Sequence, residues 1–166
     1  MTLIELVIYM AIAAVLAAIA SLAYTPNATK ARYQAERVRT DLRYAQMLAL
    51  TQGTPMRLTA TAGAGGSYAV SRIDGVGTGA CTTSAMTDPA TGSAFSVTLD
   101  SALTLGGTGT LDLDALGRPA SCAGNPCTCT VTTSGTDPAA SYTVAGGGTT
   151  YTVAVRPTTG FATVTP

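Results

Sequence analysis

The first twenty residues form a continuous apolar run that contains one carboxylate. The chain opens with MTLIELVIYMAIAAVLAAIA, and no charged side chain occurs from Leu6 to Thr29. At about 1.5 Å per residue this run makes a helix of roughly 36 Å, enough to span a bilayer core of about 30 Å. Glu5 is the exception, because a carboxylate in such a segment is costly unless a partner neutralises it. We therefore predict an apolar helix over residues 1–24 whose function depends on the partner of Glu5.

A second helical pattern follows a proline. Pro26 has no backbone donor and disfavours helical geometry at the preceding residue, so we expect the helix to kink, loosen or briefly break there. From about Ala28 to Gln52 the opposite side of the helix carries Lys30, Arg37 and Asp41. Apolar residues recur at spacings of four and three and predict one buried stripe, which consists of Ala31, Ala35, Val38, Leu42, Ala45 and Ala49.

Beyond Gly53, a typical helix stop, the apolar period changes to two. Eight segments separated by turn residues are predicted as strands: PMRLTAT, GSYAVSRID, AFSVTLD, GTLDLDALG, CTCTVTT, SYTVAG, TTYTVAVRP and GFATVTP, with RPTTGF as a loop. The predicted fold class is α+β, with a long N-terminal helix, apolar in its first half and amphipathic in its second, packed on a C-terminal antiparallel β domain. We predict an apolar transmembrane helix over residues 1–27, an amphipathic helix packed on the globular domain over 28–53, and a β-rich, disulfide-containing domain over 54–166.

Composition argues against catalysis. Histidine is absent, which removes the commonest general base and metal ligand. The Gly-rich stretches TAGAGG and AGGGTT lack the Lys-Ser/Thr of a phosphate-binding loop. We therefore predict that the protein is not an enzyme and has no cofactor or metal.

Charge is balanced overall, with nine basic and nine acidic residues, but it is unevenly distributed. Residues 30–43 carry five basic and two acidic side chains, 5 − 2 = +3, and they include Arg32, Arg37, Arg39 and Arg43. These arginines have three candidate partners: the carboxylates of a neighbouring copy, anionic lipid head groups and the phosphates of DNA. DNA is the less favoured alternative, because the basic stripe is short and no aromatic residues interleave with it.

Four cysteines, Cys81, Cys122, Cys127 and Cys129, predict two disulfides in an extracytoplasmic protein. Structural zinc is the rival hypothesis, although Cys-x-Cys is not the usual zinc-knuckle spacing. A disulfide between Cys127 and Cys129 would close a very small ring, so each is expected to bond elsewhere. We favour Cys122–Cys127 across the turn AGNP together with Cys81–Cys129, and the pairing Cys81–Cys127 with Cys122–Cys129 stays open.

The pair Asp112 and Asp114 in the segment DLD is a weak candidate for a calcium site. Two carboxylates alone do not make such a site, which usually has six to eight oxygen ligands. We therefore interpret this segment as a solvated strand edge.

Two ordinary explanations of the N-terminus are available. A cleaved secretory signal would use the Ala-x-Ala at Ala18 and Ala20, but no basic residue precedes Lys30. A plain single-span anchor explains the length and leaves Glu5 only a capping role. The stretch TLIE has the Thr-x-x-Glu spacing of a capping box, and a carboxylate is favourable at a helix N-terminus.

The N-terminus also resembles the mature N-termini of type IV pilins and type II secretion pseudopilins. Met1, Thr2, Leu3, Ile4, Glu5 and Leu6 match that family's pattern of an apolar first residue, a Glu at the fifth position and an uninterrupted apolar run. The resemblance covers about the first fifty residues. It continues more weakly in RVRTDLRYAQMLALTQGTPMRLT and LDALGRPA, which are similar to H-type (fimbrial-assembly-T-like) minor pilins and pseudopilins, whereas residues 75–101 match no pattern of the family.

The resemblance implies a subunit of a pilus or pilus-like filament, with Thr2, Leu3 and Glu5 in assembly. Residues 1–27 then form the filament-core helix and residues 54–166 the head domain. Met1 is then a processed, N-methylated terminus, which a chain beginning at Met1 fits. Glu5 is expected to pair with an α-ammonium, that of its own Met1 or of the Met1 of a neighbouring copy. The expected partners are further copies, other minor pilins and the inner membrane before assembly, and the filament is an extracellular pilus or a periplasmic pseudopilus. Major pilin, minor secretion pseudopilin and DNA-binding minor pilin are the open alternatives.

Overall fold

The computed structural model describes residues 2–23, 26–89, 91–107, 109–132 and 139–166. Two helices precede a β-rich region. The helices are α1 Leu3–Ala23 and α2 Pro26–Gln52. The strands are β1 Met56–Thr61, β2 Gly63–Ala64, β3 Ser67–Asp74, β4 Thr82–Ala85, β5 Ser96–Thr98, β6 Thr104–Gly107, β7 Thr110–Leu113, β8 Pro119–Ala123, β9 Thr128–Val131, β10 Ala140–Gly146, β11 Thr149–Val155 and β12 Ala162–Thr165.

The predicted fold class is wrong. It described one long helix packed on a β domain, whereas the described residues form two separate helices followed by twelve strands in two antiparallel sheets. Only α2 packs on the sheets, since every described side chain of α1 is exposed. Pro26 is the first residue of α2, a position where its missing N–H is not needed and its fixed φ suits the helix.

Both sheets are antiparallel throughout the described residues. The seven-stranded sheet has the order β4-β3-β1-β7-β8-β9, with β5 also paired to β3, and the five-stranded sheet has the order β12-β11-β10-β6-β2. Helix α2 lies against β10, β11 and β12 of the five-stranded sheet. It also contacts β1, a strand inside the larger sheet. Strands β2, β4, β6 and β8 were not predicted, because short Gly-, Ser- and Thr-rich segments lack a clear alternation of apolar and polar residues.

The buried stripe predicted for α2 is confirmed. Ala31, Ala35, Val38, Leu42, Ala45 and Ala49 are each no more than 1% exposed. Four of the six are alanines, and their small side chains let the helix backbone approach the five-stranded sheet closely. The remaining core consists mainly of apolar side chains from the inner faces of both sheets.

The start of α2 is held by a tight turn of the five-stranded sheet. Gly147 and Gly148 connect β10 to β11 with positive φ at both residues, the backbone that a two-residue hairpin turn requires. A Cβ on Gly147 would lie 2.7 Å from the backbone nitrogen of Ala28, so this residue must be glycine for the turn to touch the helix. Nearby, Lys30 Nζ lies 2.8 Å from Asp100 Oδ2. The two contacts fix the first turn of α2 on the β domain.

The sequence predicted that Asp41 lies on the solvated side of α2, and this prediction is wrong. Its side chain is 16% exposed, and the Tyr68 hydroxyl donates a hydrogen bond of 2.5 Å to its Oδ2. Burial raises the pKa of the Asp41 carboxyl above its ordinary 3.8, and the hydrogen bond from Tyr68 and the charge of Arg37 oppose this shift only in part. The helical period placed Asp41 away from the stripe, but the sheet extends far enough to cover it.

We expect the stability to fall as pH rises through the titration of Asp41. A carboxyl whose pKa is raised in the folded state binds its proton more tightly there. Its contribution to the free energy of unfolding is therefore complete below pH 3.8 and is lost as pH rises through the folded pKa. Asp41→Asn keeps an acceptor for Tyr68 and removes the titration. Urea unfolding at several pH values should show the variant gaining stability relative to wild type as pH rises, and a difference independent of pH would contradict this account.

The two predicted disulfides are confirmed, but the favoured pairing is wrong. Cys81 pairs with Cys127 and Cys122 with Cys129, the pairing that had stayed open. In the β8–β9 hairpin Cys122 lies directly opposite Cys129, and their Cα atoms are 4.0 Å apart. Cys127 precedes β9, and its backbone forms an isolated parallel β-bridge with Val76. This backbone pairing brings Cys127 close to Cys81. The turn AGNP therefore sets a register that the spacing alone did not give.

The interpretation of DLD as a solvated strand edge is also wrong. Strand β7 lies inside the larger sheet between β1 and β8, and Asp112 and Asp114 are each 7% exposed. Arg57 donates to both carboxylate oxygens of Asp112 at 2.6 and 2.8 Å, while Arg118 donates to Asp114. Among the described residues no group of three or more His, Cys, Asp or Glu side chains is arranged to hold a metal ion.

Candidate assembly surface

Helix α1 presents a long apolar surface that no other described element covers. The segment from Leu3 to Ala23 contains neither glycine nor proline and is rich in alanine and leucine, which favour helix. All described side chains from Thr2 to Ala18 are exposed. The large apolar ones among them, each at least 44% exposed, are Leu3, Ile4, Leu6, Val7, Ile8, Tyr9, Met10, Ile12, Val15 and Leu16. An exposed apolar surface of this kind marks an interaction site.

Glu5 lies in the first turn of α1. The backbone N–H of Thr2 donates to Glu5 Oε2 at 3.3 Å, and the backbone N–H groups of Glu5 and Leu6 donate to the carbonyl of Thr2 at 3.1 and 3.3 Å. This geometry is one half of a capping box, in which the carboxylate at the third helical position satisfies the backbone of the residue before the helix. The carboxylate thus has a local role in the chain.

The predicted assembly residues are grouped at one end of α1. Thr2 and Leu3 flank the first turn, and Leu3 is 84% exposed, the highest value among the large apolar side chains of the described residues. Met1, the predicted processing and methylation site, lies outside the described residues. The N-terminal end of α1 therefore combines an exposed apolar surface with one exposed carboxylate.

Membrane insertion was predicted for this segment. Within the described ranges, no helix has the combination of length and apolar character needed to cross a bilayer.

The four arginines of α2 differ in their partners. Arg37 Nε lies 3.9 Å from Asp41 Oδ2, and Arg39 Nη2 lies 2.8 Å from Glu36 Oε2. Both pairs are formed on the same helix, three or four residues apart. These guanidinium groups are therefore already partly neutralised within the chain.

Arg32 and Arg43 have no carboxylate partner among the described residues. Arg32 lines a cavity of about 370 Å³ between α2 and the β11–β12 pair, together with Tyr151 and Val164. Arg43 lies over the ring of Phe161, with its guanidinium carbon 5.0 Å from the ring centroid, and donates to the carbonyl of Ala162 at 3.5 Å. The sequence singled out all four arginines equally, whereas the structure separates two with ion pairs from two without.

Comparisons of the chain with models of protein families, with curated proteins and with solved structures gave no match.

A cavity of about 530 Å³ lies at the opposite end of α2 from α1. It is open and is lined by Thr54, Asp74, Asp114, Leu116 and Cys129, among others. Both carboxylates already accept hydrogen bonds from neighbouring groups of the chain: Asp74 from Arg72 and Ser84, and Asp114 from Arg118.

Proposed function

We propose that the chain is a structural subunit of a type IV pilus or pilus-like filament and that it assembles through α1. The observation that carries this proposal is an apolar helix with a single carboxylate in its first turn, whose described side chains are all exposed. In water such a surface is unfavourable, at about 25 cal/mol per Å² of apolar area, and packing α1 helices of several copies against one another would remove it. The β domain would then face outward and shield the bundle from water.

In this proposal Glu5 specifies the register of assembly. Within a bundle of apolar helices its carboxylate would lose water and need a cation, and the α-ammonium of a neighbouring copy's Met1 supplies one. A copy that docks one step out of place would leave both charges unpaired, and breaking a buried pair typically costs about 3–5 kcal/mol. The hydrogen bond from Thr2 leaves the carboxylate free to accept others, because a carboxylate has about four acceptor sites.

Small side chains support close packing of the helices. Ala11, Ala13, Ala14, Ala17 and Ala18 occupy the middle of α1. Small residues let helices approach closely, which is how helices associate when the hydrophobic effect between them is weak. The same alanines also favour the helix itself.

Two substitutions of Glu5 separate its charge from its capping role. Glu5→Gln keeps an oxygen that can accept from the Thr2 N–H but has no charge, whereas Glu5→Ala removes both. If Glu5 sets the register, both variants should form at least tenfold fewer filaments than wild type, since about 1.4 kcal/mol corresponds to a tenfold change in an equilibrium. Filament mass is measured by sedimentation and negative-stain electron microscopy of the full-length chain.

Glu36→Gln is the matched control, because Glu36 is also a glutamate on the N-terminal helices and its one ion pair among the described residues is with Arg39. It should assemble as wild type does. Wild-type filament yield from Glu5→Gln, with a loss in Glu5→Ala, would instead assign Glu5 a capping role only. Circular dichroism should show all three variants folded. If the purified wild-type chain does not polymerise at all, the proposed function is wrong.

A further inference from the structure

Four exposed apolar side chains and one arginine lie together near the C-terminal end of α2. Arg43, Met47 and Leu50 follow one another at spacings of four and three, so they share one side of the helix. Leu116 and Phe161 come from two loops of the β domain. The apolar members are 50–59% exposed, and we call these five residues the Arg43 patch.

One side chain of α2, that of Gln46, forms hydrogen bonds with both loops. Gln46 Nε2 donates to the carbonyls of Gly117 and Gly160, at 3.1 and 2.6 Å. A Cβ on Gly160 would lie 2.6 Å from the Gly117 carbonyl oxygen, so the loops also touch each other. Leu116 and Phe161 are the chain neighbours of these glycines, and they are consequently held beside α2 before any partner binds.

Arg43 is the only charged member of the patch. Its guanidinium lies over the Phe161 ring, a contact that orients the group without neutralising its charge. It has no carboxylate partner among the described residues, unlike Arg37 and Arg39. An oriented guanidinium surrounded by exposed apolar side chains fits an apolar surface that carries one carboxylate.

The chain itself carries such a surface. Helix α1 is apolar and exposed, and Glu5 is its only charged side chain. The two surfaces are complementary in both apolar character and charge. They are also different surfaces of one chain, so their contact is heterologous, the kind of contact that extends from copy to copy into an open filament when the rotation between copies does not close.

We propose that the Arg43 patch binds α1 of a second copy and that the Arg43 guanidinium donates to the Glu5 carboxylate of that copy. This inference rests on the proposed function and adds a second docking site to it. A carboxylate can accept from the guanidinium of one neighbour and the α-ammonium of another, so the two contacts are compatible.

Charge reversal tests the contact. Arg43→Glu should lower the filament mass of the full-length chain at least tenfold, and Arg43→Gln should lower it less. Arg32→Glu is the matched control, since Arg32 is exposed on the same helix and also has no carboxylate partner among the described residues. It should assemble as wild type does. A near-ultraviolet circular dichroism spectrum checks that each variant keeps its tertiary structure.

Cross-linking gives a second readout that keeps both charges in place. The double variant Ile8→Cys/Met47→Cys puts one thiol a turn from Glu5 and the other a turn from Arg43. A short bis-maleimide should then join copies into a ladder on denaturing gels, because all four native cysteines are in disulfides. Ile8→Cys/Tyr33→Cys, with the second thiol at the other end of α2, should give no ladder.

The possible failures are distinguishable. If the wild-type chain forms filaments that Glu5→Gln abolishes, but Arg43→Glu assembles normally and the 8/47 variant does not cross-link, the Arg43 patch is not a docking site and the proposed function stands. A ladder from the 8/33 pair in place of the 8/47 pair would also overturn the inference. If the wild-type chain forms no filament, both proposals are wrong.

Discussion

Removing the Cys81–Cys127 disulfide should destabilise the β domain by about 4 kcal/mol. The bond joins residues 46 positions apart, and closing a loop of that length restrains the unfolded chain strongly in the loop-entropy description. Five strands lie entirely between the two cysteines, β4 to β8. Alanine is the better replacement at both positions, because Cys127 is fully buried and a serine would bury a hydroxyl there. Urea unfolding of Cys81→Ala/Cys127→Ala, compared with wild type, gives the difference.

The other disulfide provides the matched control. Cys122 and Cys129 are only seven positions apart and already face each other in the β8–β9 hairpin. The same description gives about 2 kcal/mol for the loss of this bond. Peptide mapping without reduction should first recover the two pairs as described. An equal or larger loss of stability for Cys122→Ala/Cys129→Ala would contradict the loop-length explanation.

Asp112→Ala should cost about 3 kcal/mol in the free energy of unfolding. Its carboxylate accepts two hydrogen bonds from Arg57 and one, at 3.0 Å, from the backbone N–H of Cys122. The hydrogen bond with Asp112 raises the pKa of Arg57. Arg57 stays charged even when Asp112 is removed, because a guanidinium is protonated at neutral pH without any partner. Breaking a buried pair typically costs about 3–5 kcal/mol, and the lower end applies because the Arg57 side chain is 26% exposed.

Two further variants test the cause of that loss. Asp114→Ala breaks a similar pair, but Arg118 is 41% exposed and regains water, so the cost should fall to about 1 kcal/mol. The double change Arg57→Met/Asp112→Leu replaces both charges with apolar groups and should recover much of the stability. If the double variant is as unstable as Asp112→Ala, the unpaired arginine is not the reason. Urea unfolding under the same buffer conditions gives all three values.

Local patterns predicted the buried face of α2 but not its separation from α1, since the predicted fold class joined the two into one long helix. The six buried positions of α2 follow directly from apolar spacings of four and three, and Pro26 marks the start of that helix. The same helical period predicted that Asp41 faces solvent, and this is wrong. The period gives the side of the helix on which a residue lies, but not how far the sheet extends around the helix. The two-residue alternation located most of the longer strands but missed β6, whose Thr-Leu-Gly-Gly sequence has one buried apolar side chain.

Features that depend on the order of strands in the sheets could not be predicted from the sequence. Asp112 looks like a solvated residue until β7 is known to lie between β1 and β8, where Arg57 can reach it. The disulfide pairing likewise depends on the register of β8 and β9, which sets Cys122 opposite Cys129. Hydrophobic spacing within a segment carries no information on which distant segment becomes its neighbour.

Some features of the candidate assembly surface could likewise be predicted from the sequence and others could not. The apolar character of α1 and the position of Glu5 in its first turn are properties of the sequence, and the resemblance of the N-terminus depends only on them. The Arg43 patch was not predictable, because Phe161 reaches Arg43 through a loop that the Gln46 side chain attaches to α2. The contact between Arg43 and the exposed ring of Phe161 leaves no pattern in the sequence of either segment alone.

Cryo-electron microscopy of filaments grown from the wild-type chain would show whether α1 forms the filament core and what Glu5 contacts there. We expect α1 helices of neighbouring copies to pack around the filament axis, with the β domains outside. Each Glu5 carboxylate should lie within hydrogen-bond distance of a cation on another copy. A filament in which α1 lies at the periphery, or in which Glu5 faces water in every copy, would contradict it.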